Sequence, residues 1–278
     1  MMTKYLAQEN GRIAYDVTGE GPLVVCVPSL GDLRAEYRFL VPVLVKAGYR
    51  VATIDVRGHG ETSQAWNDYS VAAIGKDILA LIRALEAGPA VVIGDSMGGG
   101  AAIWAAAEAP DLIRGLILVD PFVDGDGNRL LELLVSIAFT GPWGPAMWLK
   151  YYASLYPTRK PADFPEYSAA LYANLKEHGR LKATRQMLYA SKQASGESIP
   201  RVNKPTLVLM GSKDPDFKNP EGEAKRVAEA LRGTYAMIEN AGHYPHAEMP
   251  EATGPLVLDF LQTLPQTHQE RQWQHEPA

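Results

Sequence analysis

The chain has 278 residues, 46% of them apolar and 21% charged, with 27 Lys and Arg against 32 Asp and Glu for a formal charge of −5. That is too apolar for a disordered chain, enough for one large core or two smaller ones, and without the basic excess of a nucleic-acid binder. No apolar run reaches the roughly 18 residues of a membrane span, and polar residues interrupt the first ten positions before a signal-peptide core can form. The expectation is a cytoplasmic protein, with the single Cys26 packed in the core.

In chain order, residues 12–17 and 23–27 read as strands around the turn Gly19-Glu20-Gly21-Pro22. Leu23-Val24-Val25-Cys26-Val27 is apolar throughout, as in a strand covered on both faces. A helix is expected over 36–47, stopped by Gly48, and then a strand over 49–54. Ile74, Ile78, Leu81, Ile82 and Leu85 recur at helical spacing within 70–85; a strand at 90–93, a small-residue helix at 97–109 and a strand at 116–119 follow. This alternation predicts an α/β fold: a mostly parallel sheet of about eight strands flanked by helices.

The rhythm breaks after Asp120. Residues 121–200 hold no convincing strand, only helical stretches near 128–138, 143–155, 166–176 and 180–191. A connection this long points to a helical cap inserted after the sixth strand. Alternation resumes with a strand at 206–210, a helix at 221–231, a strand at 235–238 and a helix at 252–264. Residues 1–120 and 201–265 thus read as one discontinuous core domain, 121–200 as its cap and 266–278 as a flexible tail.

Gly94-Asp95-Ser96-Met97-Gly98 lies between a strand and a helix. Glycines on both sides of Ser96 permit a sharp turn that lifts the hydroxyl off the sheet edge, the setting of a nucleophile. A serine needs a base, and the base needs an orienting acid. His243 follows the turn Glu239-Asn240-Ala241-Gly242, and Asp214 follows the strand ending at Met210-Gly211, so both can return to the edge that carries Ser96. Asp120, just past a parallel strand, is the rival acid, and Asp216 a weaker one. Asp95 reads as an exposed or loop-bonded neighbour, His59 as structural, and His246 and Glu248 as packing around His243. His243 and His246 lack the helical spacing of a metal pair, and no cofactor or metal is expected.

With Ser96, Asp214 and His243 in that order, and with Asp55-Val56-Arg57-Gly58-His59-Gly60 after an early strand, residues 12–264 resemble the α/β-hydrolase superfamily, and within it a lid-containing, esterase-like serine hydrolase. The resemblance implies a Ser96 nucleophile, a His243 base, an Asp214 orienting acid and an oxyanion hole made by the backbone amides of Leu30 and Met97. Where the family usually has His-Gly before the first donor, this chain has Pro28-Ser29. The implied substrate is a small or medium apolar carboxylic ester, with a lactone, a carbon-carbon bond or a perhydrolase-like reaction as alternatives and a ligand sensor without turnover as the non-enzyme reading. Phe139, Trp143, Met147, Trp148, Tyr151 and Tyr152 in the cap are expected either to seal it against the sheet or to wall an apolar pocket. An oligomer is compatible with the sequence.

Overall fold

The computed structural model describes residues 2–123 and 139–265; the helix expected near 128–138 and the tail at 266–278 lie outside them. Among the described residues there are eight strands: β1 (Lys4–Gln8), β2 (Gly11–Thr18), β3 (Leu23–Val27), β4 (Arg50–Ile54), β5 (Ala90–Asp95), β6 (Ile113–Val119), β7 (Thr206–Gly211) and β8 (Thr234–Ile238). They form one sheet in the order β1-β2-β4-β3-β5-β6-β7-β8. From β4 onward all pairs are parallel, whereas β1 and β2 join antiparallel at one edge.

Sequence patterning explains the layers. β3 and β5 are buried along their whole length, and every residue of β7 is buried too, because helices cover both faces. On one face, α2 (Val71–Leu85) turns Ile74, Ile78, Leu81 and Ile82 inward against α3 (Met97–Glu108), and α8 (Pro220–Ala230) adds Ala224 and Val227 to the same cluster. The Ser70 hydroxyl starts α2 by accepting the Ala73 N–H at 3.2 Å. On the other face, α1 (Leu40–Lys46) and α10 (Pro250–Thr263) enclose a second cluster that includes Val24, Cys26, Ile93 and Leu209. β1 is a strand the sequence reading did not register. Its residues are largely exposed and mixed in polarity, so only pairing such as Leu6 with Ile13 reveals it.

Between β6 and β7 the described residues are helical, with α4 (Gly144–Ser154), α5 (Phe164–Lys176), α6 (Arg180–Tyr189) and α7 (Gln193–Ser198). Polar bonds tie this cap to the loop after β4. Asn174 accepts the Gly60 N–H at 3.1 Å and donates to its carbonyl at 3.0 Å, and Arg180 donates to the Thr62 carbonyl. His59 faces the Arg57 carbonyl at 2.9 Å through Nδ1 and the Thr184 hydroxyl at 3.2 Å through Nε2. Burial lowers its pKa to about 4, in keeping with a neutral structural imidazole. Arg57, itself buried, is paired with Asp77 at 2.7 Å and stacks its guanidinium over Trp66 at 4.5 Å.

The strand order reverses direction between β3 and β5, a topological switch point that opens a crevice at the carboxyl edge of the sheet. Close approach at this crevice depends on glycine. A Cβ on Gly98 would stand 2.5 Å from the Val27 carbonyl oxygen and 2.8 Å from that of Pro28, both backbone atoms with no freedom to move away. Gly98→Ala is therefore expected to destabilise the fold by about 1–3 kcal/mol, read from the urea midpoint at constant slope, and to shift α3 against β3. An unchanged midpoint would show that the contact relaxes without cost.

Candidate active site

Each functional side chain identified in the sequence follows a strand that ends at the same edge. Leu30 comes after β3, Ser96 and Met97 after β5, Asp120 after β6, Asp214 after β7 and His243 after β8. Ser96 sits at φ 51°, ψ −115°, a conformation that L residues adopt reluctantly and that a tight strand-to-helix turn requires. The surrounding bonds hold it there. Its N–H donates to the Val119 carbonyl at 2.8 Å, and its carbonyl accepts N–H groups from Gly99 at 3.1 Å and Phe122 at 3.1 Å. Gly94 has no room for a side chain either, since its Cβ would meet the Gly98 carbonyl oxygen at 2.4 Å.

His243 Nδ1 lies 2.7 Å from Asp214 Oδ2, and both residues are buried. Burial alone would raise the Asp214 carboxyl, but the imidazole's charge and hydrogen bond outweigh it and hold the pKa below the ordinary 3.8. Burial likewise disfavours the imidazolium, yet the carboxylate beside it prevails and raises His243 above 6.5. The Asp214 Oδ1 atom accepts the Asp216 N–H at 2.9 Å. Asp216 itself stands 3.9 Å from His243 Nδ1 and takes the Tyr151 hydroxyl at 2.7 Å. It is the more distant carboxylate.

Asp120 occupies a third position beside this pair. Its Oδ1 accepts the Gly211 N–H at 2.9 Å, its buried Oδ2 receives no donor among the described residues, and one of its oxygens lies within 4.8 Å of Asp214 and His243. Burial and the adjacent Asp214 charge push its carboxyl well above the ordinary range. These influences favour its acid form and leave the negative charge of the pair on Asp214, next to the imidazole.

Ser29, Leu30, Ser96, Met97 and His243 line a cavity of about 340 Å³. Phe139, Trp148 and Tyr151 supply part of its cap-side wall, together with Leu155 and Leu188. Trp148 is nearly fully buried, with its indole N–H on the Gly31 carbonyl at 3.2 Å and its ring edge-on to Phe139. Other predicted wall residues lie elsewhere. Trp143 and Met147 are exposed at 58% and 39%, and Tyr152 turns into an aromatic cluster with Tyr156, Tyr167 and Tyr244. Helix spacing alone could not separate the cavity face of α4 from its other faces. Phe122, which stacks on Phe217 at 4.9 Å and lies 6.0 Å from the His243 ring, was not singled out in the sequence; its place directly after the β6 terminus was the available signal.

Two neighbouring groups differ in how well the sequence placed them. Glu248 braces the histidine loop as expected, accepting the Gly242 N–H at 2.6 Å and those of Thr158 and Arg159, each at 2.9 Å. Asp95, expected to be exposed or loop-bonded, is instead wholly buried, and among the described residues neither oxygen receives a hydrogen bond. The reason is its place as the last residue of the interior strand β5, opposite Val119 of β6 and one residue beyond the last β3 pair, Val27 with Gly94.

Comparison with known proteins shows the family and the fold. The sequence pattern of the alpha/beta hydrolase fold matches residues 22–250. Among similar curated proteins is the 2-(acetamidomethylene)succinate hydrolase of Mesorhizobium japonicum, 26% identical over 264 residues, covering 90% of this chain and 92% of that protein. Among solved structures, a bromoperoxidase from Bacillus anthracis superposes with a TM-score of 0.82 at 22% identity, covering 94% of this chain and all of that one. An esterase from Exiguobacterium antarcticum gives the same TM-score at 20% identity, with the same coverage of both chains. Having the strand order, the serine turn and a sequence match over most of its length, the chain belongs to the α/β-hydrolase fold family.

Proposed function

We propose that the protein is a serine hydrolase that cleaves a small to medium apolar carboxylic ester through an acyl-enzyme. The observation that carries this reading is the 2.7 Å contact between His243 Nδ1 and Asp214 Oδ2, which positions His243 at the wall of the cavity that the strained Ser96 also lines. With Nδ1–H committed to Asp214, Nε2 is the lone-pair nitrogen and takes the Ser96 proton as Oγ attacks the substrate carbonyl. The backbone amides of Leu30 and Met97 receive the resulting oxyanion. Collapse returns the proton from His243 to the leaving alkoxide, and a water activated by the same imidazole then releases the acid. The cavity walls, Phe122, Phe139, Trp148, Leu155 and Leu188, offer an apolar acyl or alkoxy group its contacts.

The relatives widen the panel of substrates to test. The Mesorhizobium hydrolase and a pyrrolizixenacetamide deacetylase of Xenorhabdus hominickii, 26% identical over 258 residues, are named for acetamido substrates. N-acetyl amides therefore belong beside aryl and alkyl esters, lactones and carbon-carbon substrates in a product analysis with Ser96→Ala as the control. Ser96→Ala is expected to reduce ester turnover about a thousandfold or more with the fold intact, since it removes the nucleophile without adding bulk. Unchanged turnover in the purified variant would refute the assignment.

The two acids separate by substitution. Asp214→Asn should lower kcat by about a hundredfold or more, because an amide cannot stabilise the imidazolium. Asp120→Asn should cost less than about tenfold, because an amide can still accept from Gly211 and donate toward Asp214. The reverse ranking in folded variants would move the orienting role to Asp120.

The pH profile follows from the same pair. His243 must be neutral to act as a base, and Asp214 raises its pKa, so kcat/KM should climb with pH through an apparent pKa above 6.5. In Asp214→Asn that limb should move to lower pH. A limb at or below 6.5 in the parent enzyme would show that the pair is not coupled as described.

A further inference from the structure

A second buried polar group adjoins the serine turn and has no part in the proposed reaction. Asp95 ends β5, Glu36 lies in the 3-10 turn Arg34–Tyr37, and His246 lies in the short helix α9 (Pro245–Glu248). All three are at most 1% exposed, and one ligating-type atom from each lies within 4.8 Å of the other two. Among the described residues, both Asp95 oxygens, Glu36 Oε1 and both His246 ring nitrogens lack a hydrogen-bond partner, although His246 Nε2 comes to 3.2 Å from Glu36 Oε1. The other Glu36 oxygen is committed, accepting the Ser29 N–H at 2.8 Å. The Ser29 hydroxyl pairs with that of Tyr244 at 2.8 Å, and the Tyr37 ring stacks on His246 at 4.8 Å.

The charged groups around this cluster offer it little compensation. The neighbouring carboxyls of Asp32, Asp120 and Asp214 all disfavour a charge on Asp95, while the Arg38 guanidinium, which acts on Glu36, is bonded to Asp163 at 2.6 Å. His243 acts on Glu36 through space, and its proton-bearing nitrogen is already engaged by Asp214. Buried carboxylates without donors are strongly disfavoured as anions, and an added proton supplies the missing donor.

We propose that Asp95 is held as a neutral carboxylic acid and that, with Glu36 and His246, it forms a buried proton-sharing brace that fixes the Ser29–Leu30 strap against the serine turn. Glu36 is the positioning residue. A proton on its Oε1 can be donated to His246 Nε2, while Oε2 keeps the Ser29 N–H and so sets the peptide from which the Leu30 amide follows. The titration tendencies agree in direction. Burial, and then the Glu36 charge, raise Asp95 well above 3.8; burial raises Glu36 to about 8 and lowers His246 to about 3. The link to catalysis rests on Leu30 being an oxyanion donor, as in the proposed function.

Two sets of full-length variants test the brace and its link separately. In the first, thermal unfolding of Asp95→Asn is compared with the parent between pH 5 and 9. The raised Asp95 pKa contributes stability that is complete below the unfolded value near 3.8 and is lost as pH rises toward the folded value, whereas Asn does not titrate. The variant should therefore melt about 3 °C or more above the parent at pH 8, with the gap narrowing toward pH 5. A variant that melts below the parent at pH 8 would overturn the neutral acid. So would a stoichiometric divalent metal found by elemental analysis of the parent and lost from the variant.

In the second set, Glu36→Ala should lower kcat on an activated short ester about tenfold, with KM within about threefold, and Glu36→Gln should restore most of the loss because its amide oxygen can accept the Ser29 N–H. Equal losses in both variants, or a loss confined to KM, would remove Glu36 from the strap. A parent enzyme without turnover on any acyl substrate would refute the proposed function, and the Asp95→Asn melting comparison would still decide the brace.

Discussion

The backbone at Ser96 is the constraint on which the rest of the site depends. A residue with a side chain is held at positive φ between an interior strand and the helix that packs on it, at a cost of order 1–3 kcal/mol that the surrounding bonds must offset. Three features do so: the Ser96 N–H on Val119, the N–H groups of Gly99 and Phe122 on its carbonyl, and the absence of side chains at Gly94 and Gly98. Because β3 and β5 are direct neighbours, with Val27 beside Gly94, the same turn also sets how near the Leu30 strap comes to the serine. The hydroxyl is thus exposed to the cavity by backbone geometry before any side-chain partner is considered.

The parallel sheet converts that local geometry into a converging one. Parallel strands all deliver their carboxyl ends to one edge, so residues far apart in the chain meet without long loops. Asp214 and His243 are 29 positions apart, yet they stand 2.7 Å from each other because β7 and β8 are paired in register from Leu207 with Thr234 to Gly211 with Ile238. The cap closes the cavity from the other side. It is anchored to the loop after β4 by Asn174, Arg180 and Thr184, and its aromatic residues pack on Tyr244, next to His243.

Negative charge gathers behind the cavity, and its distribution sorts the roles of the carboxyls. Asp95, Asp120 and Asp214 all end or follow interior strands and are all buried. Only Asp214 has an imidazole at hydrogen-bond distance, so only Asp214 is held below its ordinary pKa. Asp95 and Asp120, with no such partner, are driven toward the acid form by burial and by their neighbours. A low dielectric thus pushes similar residue types in opposite directions, Asp214 toward the anion and the other two toward the acid.

Much of this was legible in the sequence because its causes are local. Continuous apolar runs such as Leu23–Val27 identify interior strands, the 74-78-81-82-85 spacing identifies α2, and the glycines around Ser96 identify a turn. The ordered appearance of Ser96, Asp214 and His243 after strands pointed to one sheet edge, where the fold does bring them. What the sequence could not supply depends on partners distant in the chain. β1 exists through pairing with β2, the cavity-facing side of α4 is chosen by what lies beneath it, and Asp95 is orphaned because β5 is interior. Local propensity and spacing settle which elements form and where the reactive residue types fall. Burial, and with it the charge each carboxyl can carry, is settled only when the strands and the cap have packed, because desolvation is a property of the whole surroundings and not of neighbours in the chain.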